Sequence, residues 1–446
     1  MYGATRQRGH GEPMTLPALD QDLVSPHDAL LAELEKCRKR EKRLHARYAQ
    51  AVNVGKKNRA KSRLHAYMNS KAVRFVAMAS AAKALPLSHR PSLAKCKVLS
   101  ASLKLHQRIA EVVKVFPKAK SNGDYRAICS FGPMHRAAQW MVRRLLTPHV
   151  HFRGWQYEGK RGGINRVAKE IVNLLHQHPK MFAWHGDIQR HYASFDTDKL
   201  AQQAPLPKKV TKYVVSGRHM KVVSGTSHTG PIIDTLPLLL AARRGIPQGS
   251  AASPLTANWS LSSLKWRTPK GAWLFNWADN FLILGMTEAV VDATAHSLAE
   301  AVAKAPGGAF DLIQKQKSSA ENGFPFLGYW FRAVNGTVDV WPTVANDTKF
   351  GERLEYLQDR ARRRSALYAS NDGSEQRDAA LEAVADYRQY ALSWASAFSI
   401  CDAAPFLIED VHHYAAKFLN WCGAQPADLE PYNASAEKWQ WQGSGG

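Results

Sequence analysis

Residues 273–285, WLFNWADNFLILG, decide the fold of this chain. Two apolar runs flank Ala278 and Asp279, and this pattern predicts two antiparallel strands joined by a tight hairpin turn. Asp279 would then project from the tip of a rigid hairpin. A carboxylate held there is a candidate metal ligand, although an aspartate in a turn is also a common turn-forming residue.

A second carboxylate lies at the end of another apolar run. In residues 184–196, WHGDIQRHYASFD, the run ends at Asp187, which predicts an aspartate at the end of a strand. A carboxylate at a strand end and another on a neighbouring hairpin turn can converge on divalent ions, as two-metal phosphoryl transfer requires. Magnesium suits such sparse oxygen ligation because it keeps water and substrate phosphates as its other ligands.

The third element is a Gly/Pro/Ser loop in residues 243–261, RRGIPQGSAASPLTANWSL. Pro254 after Ser253 predicts a helix that begins at this point. Gly249 would allow the backbone to approach a nucleotide closely, and Gln248 could hydrogen-bond to it. By itself the loop is also consistent with a simple helix-capping turn.

The order of these elements changes their interpretation. HGDIQRHYASF, GIPQGSAASPL and WADNFLIL resemble motifs A, B and C of reverse transcriptases, particularly the bacterial group II intron, retron and defence-associated enzymes. Residues 118–149 resemble the fingers segment that precedes motif A, and residues 314–331 resemble motifs D and E. The resemblance extends from Val115 to Phe331.

The resemblance implies a role for each matching residue. Asp187 and Asp279, with the backbone carbonyl of Ile188, would hold two ions of Mg²⁺ or Mn²⁺. Tyr192 matches the bulky residue that excludes a 2′-hydroxyl, which implies deoxynucleotide substrates. The remaining matches are Lys118, Lys120 and Arg126 at the triphosphate, Gln248 and Gly249 at the nucleotide, Lys317 (or Lys315) at the leaving pyrophosphate, and the primer grip Phe326, Leu327 and Gly328. An ordinary hydrophobic hairpin explains the last three residues equally well.

Two departures from the family pattern stand out. Asn280 occupies the position at which the family usually has a second aspartate, so the predicted site has one negative charge fewer. A preference for manganese would fit, because manganese is less demanding than magnesium in the ligands that it accepts. Ala251 and Ala252 also depart from motif B.

The predicted fold class is α+β: a right-hand polymerase with fingers, a palm of antiparallel sheet packed on helices, and a helical thumb. Helical periodicity from Pro26 and mixed helix and strand patterns from Lys95 suggest how the chain is divided into domains. It comprises a mobile arm (1–25), a basic helical N-terminal extension (26–94), fingers and palm (95–335), a helical thumb (336–442) and a linker or tag scar (443–446).

Composition points to a nucleic-acid partner. The 446 residues include 61 Lys+Arg against 37 Asp+Glu, a formal charge of +24, which favours a long polyanion. Five widely spaced cysteines without a CxxC pair argue against zinc fingers and disulfide scaffolds. No apolar run approaches the length of a membrane span and no signal peptide is evident, so we expect a cytoplasmic protein.

We therefore expect an RNA-directed DNA polymerase that uses dNTPs, an RNA template and a DNA product. The resemblance further implies a dedicated noncoding RNA and a role in anti-phage defence. The sequence leaves open whether the chain forms a homo-oligomer or binds a partner protein. Two alternatives stay open. One is a template-independent, RNA-synthesising or protein-primed polymerase on the same palm, with Tyr387 or Tyr390 as primer. The other is a non-catalytic RNA-binding protein, which Asn280 and the basic charge would suit.

Overall fold

The structure is a computed structural model that describes residues 25–119, 123–160, 162–225, 235–370, 373–401 and 404–432. The arm predicted for residues 1–25 lies outside this range except for Ser25. The scar predicted at 443–446 and Lys120 lie outside it as well.

Helices and strands alternate through the middle of the chain and helices dominate both ends, so the α+β prediction is confirmed. The helices are α1 (Pro26–Asn53), α2 (Lys57–Asn69), α3 (Lys71–Lys83), α4 (Leu93–Ser102), α5 (Pro133–Leu146), α6 (Gly163–Gln177), α7 (Thr197–Gln203), α8 (Lys208–Val210), α9 (Thr235–Arg243), α10 (Ser253–Ser262), α11 (Glu288–Ala303), α12 (Val344–Ser370), α13 (Ser374–Ala397) and α14 (Ala404–Trp421). The strands are β1 (Val112–Ala119), β2 (Tyr125–Ser130), β3 (Phe182–Ile188), β4 (Lys221–Ser224), β5 (Ala272–Trp277), β6 (Asn280–Gly285), β7 (Leu312–Ser319), β8 (Phe324–Phe326), β9 (Tyr329–Val334) and β10 (Thr337–Pro342).

The N-terminal helices pack against the rest of the chain through α3. This helix is apolar on most of its surface, and Val73, Ala77 and Met78 have no exposed area. It contacts both α1 and α5. The charged faces of α1 and α2 remain in solvent, as amphipathic periodicity predicts.

A four-stranded antiparallel sheet forms the centre of the fold, in the order β5-β6-β3-β7. Residues 281–284 of β6 are fully buried, because β6 is an inner strand and both of its faces are covered. Helix α11 packs on one face, and the small sheet β10-β9-β8 lies in the same hydrophobic cluster as the other face. The continuous apolar run FLIL is the pattern expected of such a doubly covered strand.

A third sheet, in the order β2-β1-β4, is joined to the loop before α10. The Cys129 N–H on β2 donates to the Gln248 carbonyl at 2.8 Å. This bond connects the sheet to the segment that resembles motif B.

Helices α12, α13 and α14 form a cluster with its own hydrophobic core. Tyr387 is 1% exposed and contacts Phe418 edge to face, and Tyr390 stacks on Phe350. Among the residues that the structure describes, no helix is long and apolar enough to cross a membrane.

Candidate active site

The turn that carries Asp279 is a two-residue hairpin connection. Trp277 pairs with Asn280 across the turn, and Ala278 has φ of 55°, which a turn of this kind requires. The buried Asn276 side chain donates to the carbonyl of Ala278 at 2.9 Å and to that of Asn280 at 3.1 Å. The backbone on both sides of Asp279 is therefore fixed by hydrogen bonds.

Asp187 lies beside this turn, at the end of β3. It pairs with Asn280 in the β3–β6 register, and the next N–H, that of Ile188, donates to the Asp279 carbonyl at 3.0 Å. The sheet therefore brings together the two carboxylates predicted from the sequence, with Ile188 between them at the strand end.

Asp187 and Asp279 are two like charges that lie close together and are partly shielded from water. Burial raises the pKa of Asp279, and the nearby charge of Asp187 raises it further. A backbone hydrogen bond and the charges of Arg126 and Lys315 oppose this rise. Within the described part of the chain, Asp187 Oδ1 is buried without a hydrogen-bond partner, whereas Oδ2 lies 3.2 Å from Lys315 Nζ.

Asn280 adds a donor to the site where the family pattern has a carboxylate. Its Nδ2 donates to Asp279 Oδ1 at 3.1 Å. The amide therefore orients the Asp279 carboxylate without adding negative charge. Among the described residues, no group of three His, Cys, Asp or Glu side chains is arranged to hold a metal, so the two aspartates would need oxygen ligands from backbone, water or substrate.

Lys315, rather than Lys317, contacts Asp187. The β3–β7 register shifts between His185 and Gly186, and Lys315 lies in this irregularity. Lys317 is directed to helix α11, where its Nζ contacts both oxygens of Asp292 at 2.8 Å and Glu288 at 2.7 Å. Of the two lysines considered for the leaving group, Lys315 is therefore the one beside an aspartate of the pair, and the role itself stays a prediction.

Two of the predicted triphosphate residues, Lys118 and Arg126, lie on the paired strands β1 and β2. Arg126 on β2 is close enough to Asp279 to lower the pKa of that carboxyl. Lys118 is exposed on β1, directly opposite Arg126 in the register. Lys120 falls outside the described residues.

Tyr192 lies near Asp279. Its carbonyl accepts from the Ile246 N–H at 2.9 Å, which connects it to the loop before α10. Burial raises the pKa of its hydroxyl to about 12, and the charges of Glu158 and Asp279 contribute. The Tyr192 hydroxyl therefore shares a space with acidic side chains.

Gly249 is exposed, but the position that a side chain would take on it faces the protein. Its φ is 96°, and a Cβ at this position would lie 2.3 Å from the Cys129 carbonyl oxygen. The glycine therefore accommodates β2 on this side, and its place at a nucleotide stays a prediction. Gln248 is half-buried, and its backbone carbonyl accepts the hydrogen bond from the Cys129 N–H. Helix α10 begins at Ser253, as predicted.

Phe326, Leu327 and Gly328 form the tight β8–β9 connection, with φ of 51° at Leu327 and 88° at Gly328. Phe326 is buried and contacts the His185 ring edge to face. All three residues line a cavity of about 370 Å³ that Asn280 also borders. The hairpin therefore lies next to the candidate site, and its role in gripping a primer stays a prediction.

Sequence reasoning missed Glu158. This residue follows Trp155 and Tyr157, which bond to the backbone of Asn276 on β5. Burial raises the pKa of Glu158, as does the charge of Asp279, while a hydrogen bond from Asn258 lowers it. No signal in the sequence marks this glutamate, because Asn258 and Asp279 lie 100 or more residues further along the chain.

No protein-family model matches the sequence, and no curated protein matches it. Among solved structures, apo telomerase of Candida tropicalis truncated from its C-terminal domain aligns with TM-score 0.34 at 12% identity, over 53% of this chain and 56% of that one.

Two further structures align similarly. Telomerase of Candida albicans in complex with the TWJ fragment of telomeric RNA gives a TM-score of 0.35 at 11% identity, over 75% of this chain and 62% of that one. Apo telomerase of Candida tropicalis gives 0.36 at 11% identity, over 72% and 58%. The chain thus spans less than two thirds of the length of each of these proteins.

Proposed function

We propose that this chain is a reverse transcriptase of the bacterial lineage, which extends a DNA strand from dNTPs by two-metal phosphoryl transfer. The observation that carries the proposal is the position of Asp187 and Asp279 on adjacent strands, with Asp187 Oδ1 buried and unpartnered within the described chain. Like charges in such a space favour a cation, since the Asp279 pKa is raised by burial and by Asp187.

The donor set fits magnesium or manganese. Asp187, Asp279 and the Ile188 carbonyl would hold two ions, leaving the remaining positions to water and phosphate oxygens. When bound, the ions would activate the 3′-hydroxyl of the primer and neutralise the departing pyrophosphate. Asn280 would orient Asp279 in this centre through its bond to Oδ1.

The surrounding residues supply the other functions of the reaction. Arg126 would neutralise the triphosphate, a task that suits a guanidinium because it binds phosphate bidentately. The Tyr192 ring would cover the 2′ position of the sugar and so select deoxynucleotides. Lys315 would move from Asp187 to the pyrophosphate and protonate or support it.

The template is proposed to be RNA, held mainly through its phosphates by the net charge of +24. A dedicated noncoding RNA and a role in anti-phage defence follow from the family resemblance alone. Fingers, palm and thumb would correspond to the β1–β2 hairpin with its helices, the four-stranded sheet, and α12–α14.

Primer extension with labelled dNTPs tests the proposal. Wild-type protein is compared with Asp279→Asn, in magnesium and in manganese, on RNA and DNA templates. Asp292→Asn is the matched control because Asp292 lies on helix α11 and contacts Lys317 rather than the aspartate pair. Metal-dependent synthesis in the wild type and the control, lost in Asp279→Asn, is the expected result.

One observation favours a second function. Lys315 forms an ion pair with Asp187, and Asn280 leaves the site with one carboxylate fewer than the family pattern. Both features would suit a protein that binds RNA without catalysis. That function predicts strongly salt-dependent RNA binding, no synthesis with either metal, and binding unaffected by Asp187→Asn.

A further inference from the structure

Residues 42–110 contain no acidic residue. They include 16 Lys and Arg residues, and the acids that flank them are Glu41 and Glu111. Eight of the 16 lie in the second half of α1, in α2 and in the turn between them. A helix that only faces solvent usually carries charges of both signs, which pair with one another. A surface of one sign is suited instead to a ligand of the opposite sign.

The basic side chains of α1 form a stripe along one side of the helix, because they are spaced by three or four residues. The stripe consists of Lys36, Arg40, Arg43 and Arg47, which are all exposed. Within the described part of the chain, none of the four forms an ion pair. The carboxylates of Glu33 and Glu35 on the same helix pair with Lys97 and Arg38. The stripe therefore presents its positive charge to solvent.

Helix α2 extends this positive surface. Residues 54–56 join it to α1, and the two helices pack against each other. Helix α2 has no acidic residue, and together with the stripe its basic residues make up the α1–α2 surface: Lys57, Arg59, Lys61 and Arg63. Lys57 and Lys61 lie one helical turn apart and are exposed. Like charges at this spacing destabilise a helix, so a bound polyanion would stabilise this one.

A buried network fixes the α1–α2 surface to the rest of the chain. Glu41 on α1 accepts hydrogen bonds from the Tyr67 hydroxyl on α2 at 2.7 Å and from Arg144 Nε on α5 at 3.0 Å. The Tyr48 hydroxyl on α1 donates to the Leu145 carbonyl at 3.1 Å. Because Glu41 is only 4% exposed, its charge is directed inward. The positive surface is therefore a rigid part of the folded chain.

The residue types on the surface indicate which polyanion it fits. The Phe and Tyr side chains of α1–α3, which are Tyr48, Tyr67 and Phe75, are all buried, so they are not available to stack on unpaired bases. Helix α2 exposes no large apolar side chain, whereas helices that lie on a membrane bury an apolar face in it. Binding to the phosphates of a base-paired helix requires neither feature.

We propose that the α1–α2 surface binds base-paired segments of an RNA through their phosphates. The choice of RNA over another double-stranded nucleic acid rests on the proposed function, in which RNA is the template. Contacts to phosphates hold and orient a nucleic acid without reading its sequence. The surface would therefore bind an RNA stem of any sequence, and this binding would not depend on the aspartate pair.

RNA binding at several salt concentrations measures the contribution of the surface. Dissociation constants are determined by fluorescence anisotropy for an RNA hairpin with a stem of about 16 base pairs, the span of a double-stranded RNA-binding domain, and for a single-stranded RNA of equal length. The test variant carries Arg43→Gln, Arg47→Gln, Lys57→Gln and Lys61→Gln. The control variant removes the same charge from exposed lysines outside α1 and α2, by Lys169→Gln, Lys180→Gln, Lys270→Gln and Lys304→Gln.

Glutamine is used because its helix propensity is close to that of Lys and Arg. Thermal melting checks that each variant is folded. Two smaller variants, one with the α1 substitutions and one with the α2 substitutions, keep the test valid if the fourfold variant does not fold.

We expect the slope of log K against log salt concentration to fall by about 2 to 4 in the test variant, since each phosphate contact contributes about 0.9. At about 0.15 M salt this corresponds to about 30- to 1,000-fold weaker binding of the hairpin. The control variant should keep the wild-type slope.

Three results would overturn the proposal. Equal losses in the test and control variants would make the effect one of net charge alone. An equal loss for single-stranded RNA would remove the preference for paired RNA. Binding of phosphatidylserine vesicles that depends on the substituted residues, with hairpin binding unchanged, would assign the surface to a membrane instead.

These outcomes are separate from failure of the proposed function. If the wild type binds the hairpin through this surface but incorporates no nucleotide with either metal, only the polymerase proposal fails. If the wild type is active and the test variant binds the hairpin normally, only this inference fails.

Discussion

Alanine substitution of each lysine on β7 tests which of the two acts at the leaving group. The family resemblance favours Lys317, whereas the contact with Asp187 favours Lys315. Lys315 Nζ lies 3.2 Å from Asp187 Oδ2, whereas Lys317 is bound to Asp292 and Glu288 on α11. We expect Lys315→Ala to lower the rate of nucleotide incorporation, because its ammonium lies beside Asp187 and, in the proposed function, moves from there to the leaving group. Lys317→Ala should leave the rate nearly unchanged.

The magnitude follows from the chemistry assigned to Lys315. A positioned proton donor typically contributes about 10²- to 10⁴-fold to a rate. Because Lys315 is 47% exposed, the effect should fall at the low end, about 100-fold or about 2.7 kcal/mol in the activation free energy. The ground-state ion pair with Asp187 adds little, since solvent screens a pair at this exposure.

Single-turnover incorporation of one dNTP, at saturating metal and nucleotide, measures the effect without product release. Thermal melting of both variants checks that each is folded. Loss of rate in Lys317→Ala with a normal rate in Lys315→Ala would refute the reasoning and would restore the assignment made from the sequence alone.

Three further predictions concern the surroundings of the site. Tyr192→Ala should raise ribonucleotide incorporation relative to deoxynucleotide incorporation by at least about tenfold, measured by competition, whereas an unchanged ratio would remove the steric role of the ring. Gly249→Ala should destabilise the fold by about 2 kcal/mol more than Gly336→Ala in urea unfolding, since both have positive φ but only Gly249 meets a carbonyl. Tyr387→Phe should retain DNA synthesis, because a buried tyrosine cannot serve as a primer; loss of a covalent protein–DNA product in that variant would contradict this.

The hairpin at Asp279 could be predicted from sequence because the signal is local. Two apolar strands with a two-residue connection encode their own pairing, and the turn with positive φ at Ala278 follows from it. Asp187 could be predicted as a strand end in the same way. That Asp187 and Asp279 lie close together could be predicted only from the order of the three motifs along the chain. The β3–β6 register agrees with that prediction.

The choice between Lys315 and Lys317 could not be made from the sequence. Alternation along a strand gives both lysines the same face, and the register irregularity opposite Gly186 is a property of the β3–β7 pair. The acidic partners of Lys317 lie on α11, a different element, so its orientation is likewise set by tertiary contacts.

Glu158 and Gly249 illustrate contacts between distant segments. Glu158 enters the site because residues 155–157 bond to Asn276, and Gly249 is required by Cys129 on β2. Neither partner lies near in sequence, and neither residue has a periodic pattern around it. The burial of Tyr387 depends in the same way on the packing of α13 against α14.

The central claim is that Asp187 and Asp279 form a divalent-ion site, and Mn²⁺ binding followed by electron paramagnetic resonance tests it most directly. Wild-type protein is titrated with and without a dNTP, beside Asp187→Asn, Asp279→Asn and the control Asp292→Asn. We predict two bound ions per chain with the nucleotide in wild type and control, as a two-metal centre requires, and loss of binding in the other two variants. Equal Mn²⁺ binding in wild type and Asp187→Asn would contradict the claim.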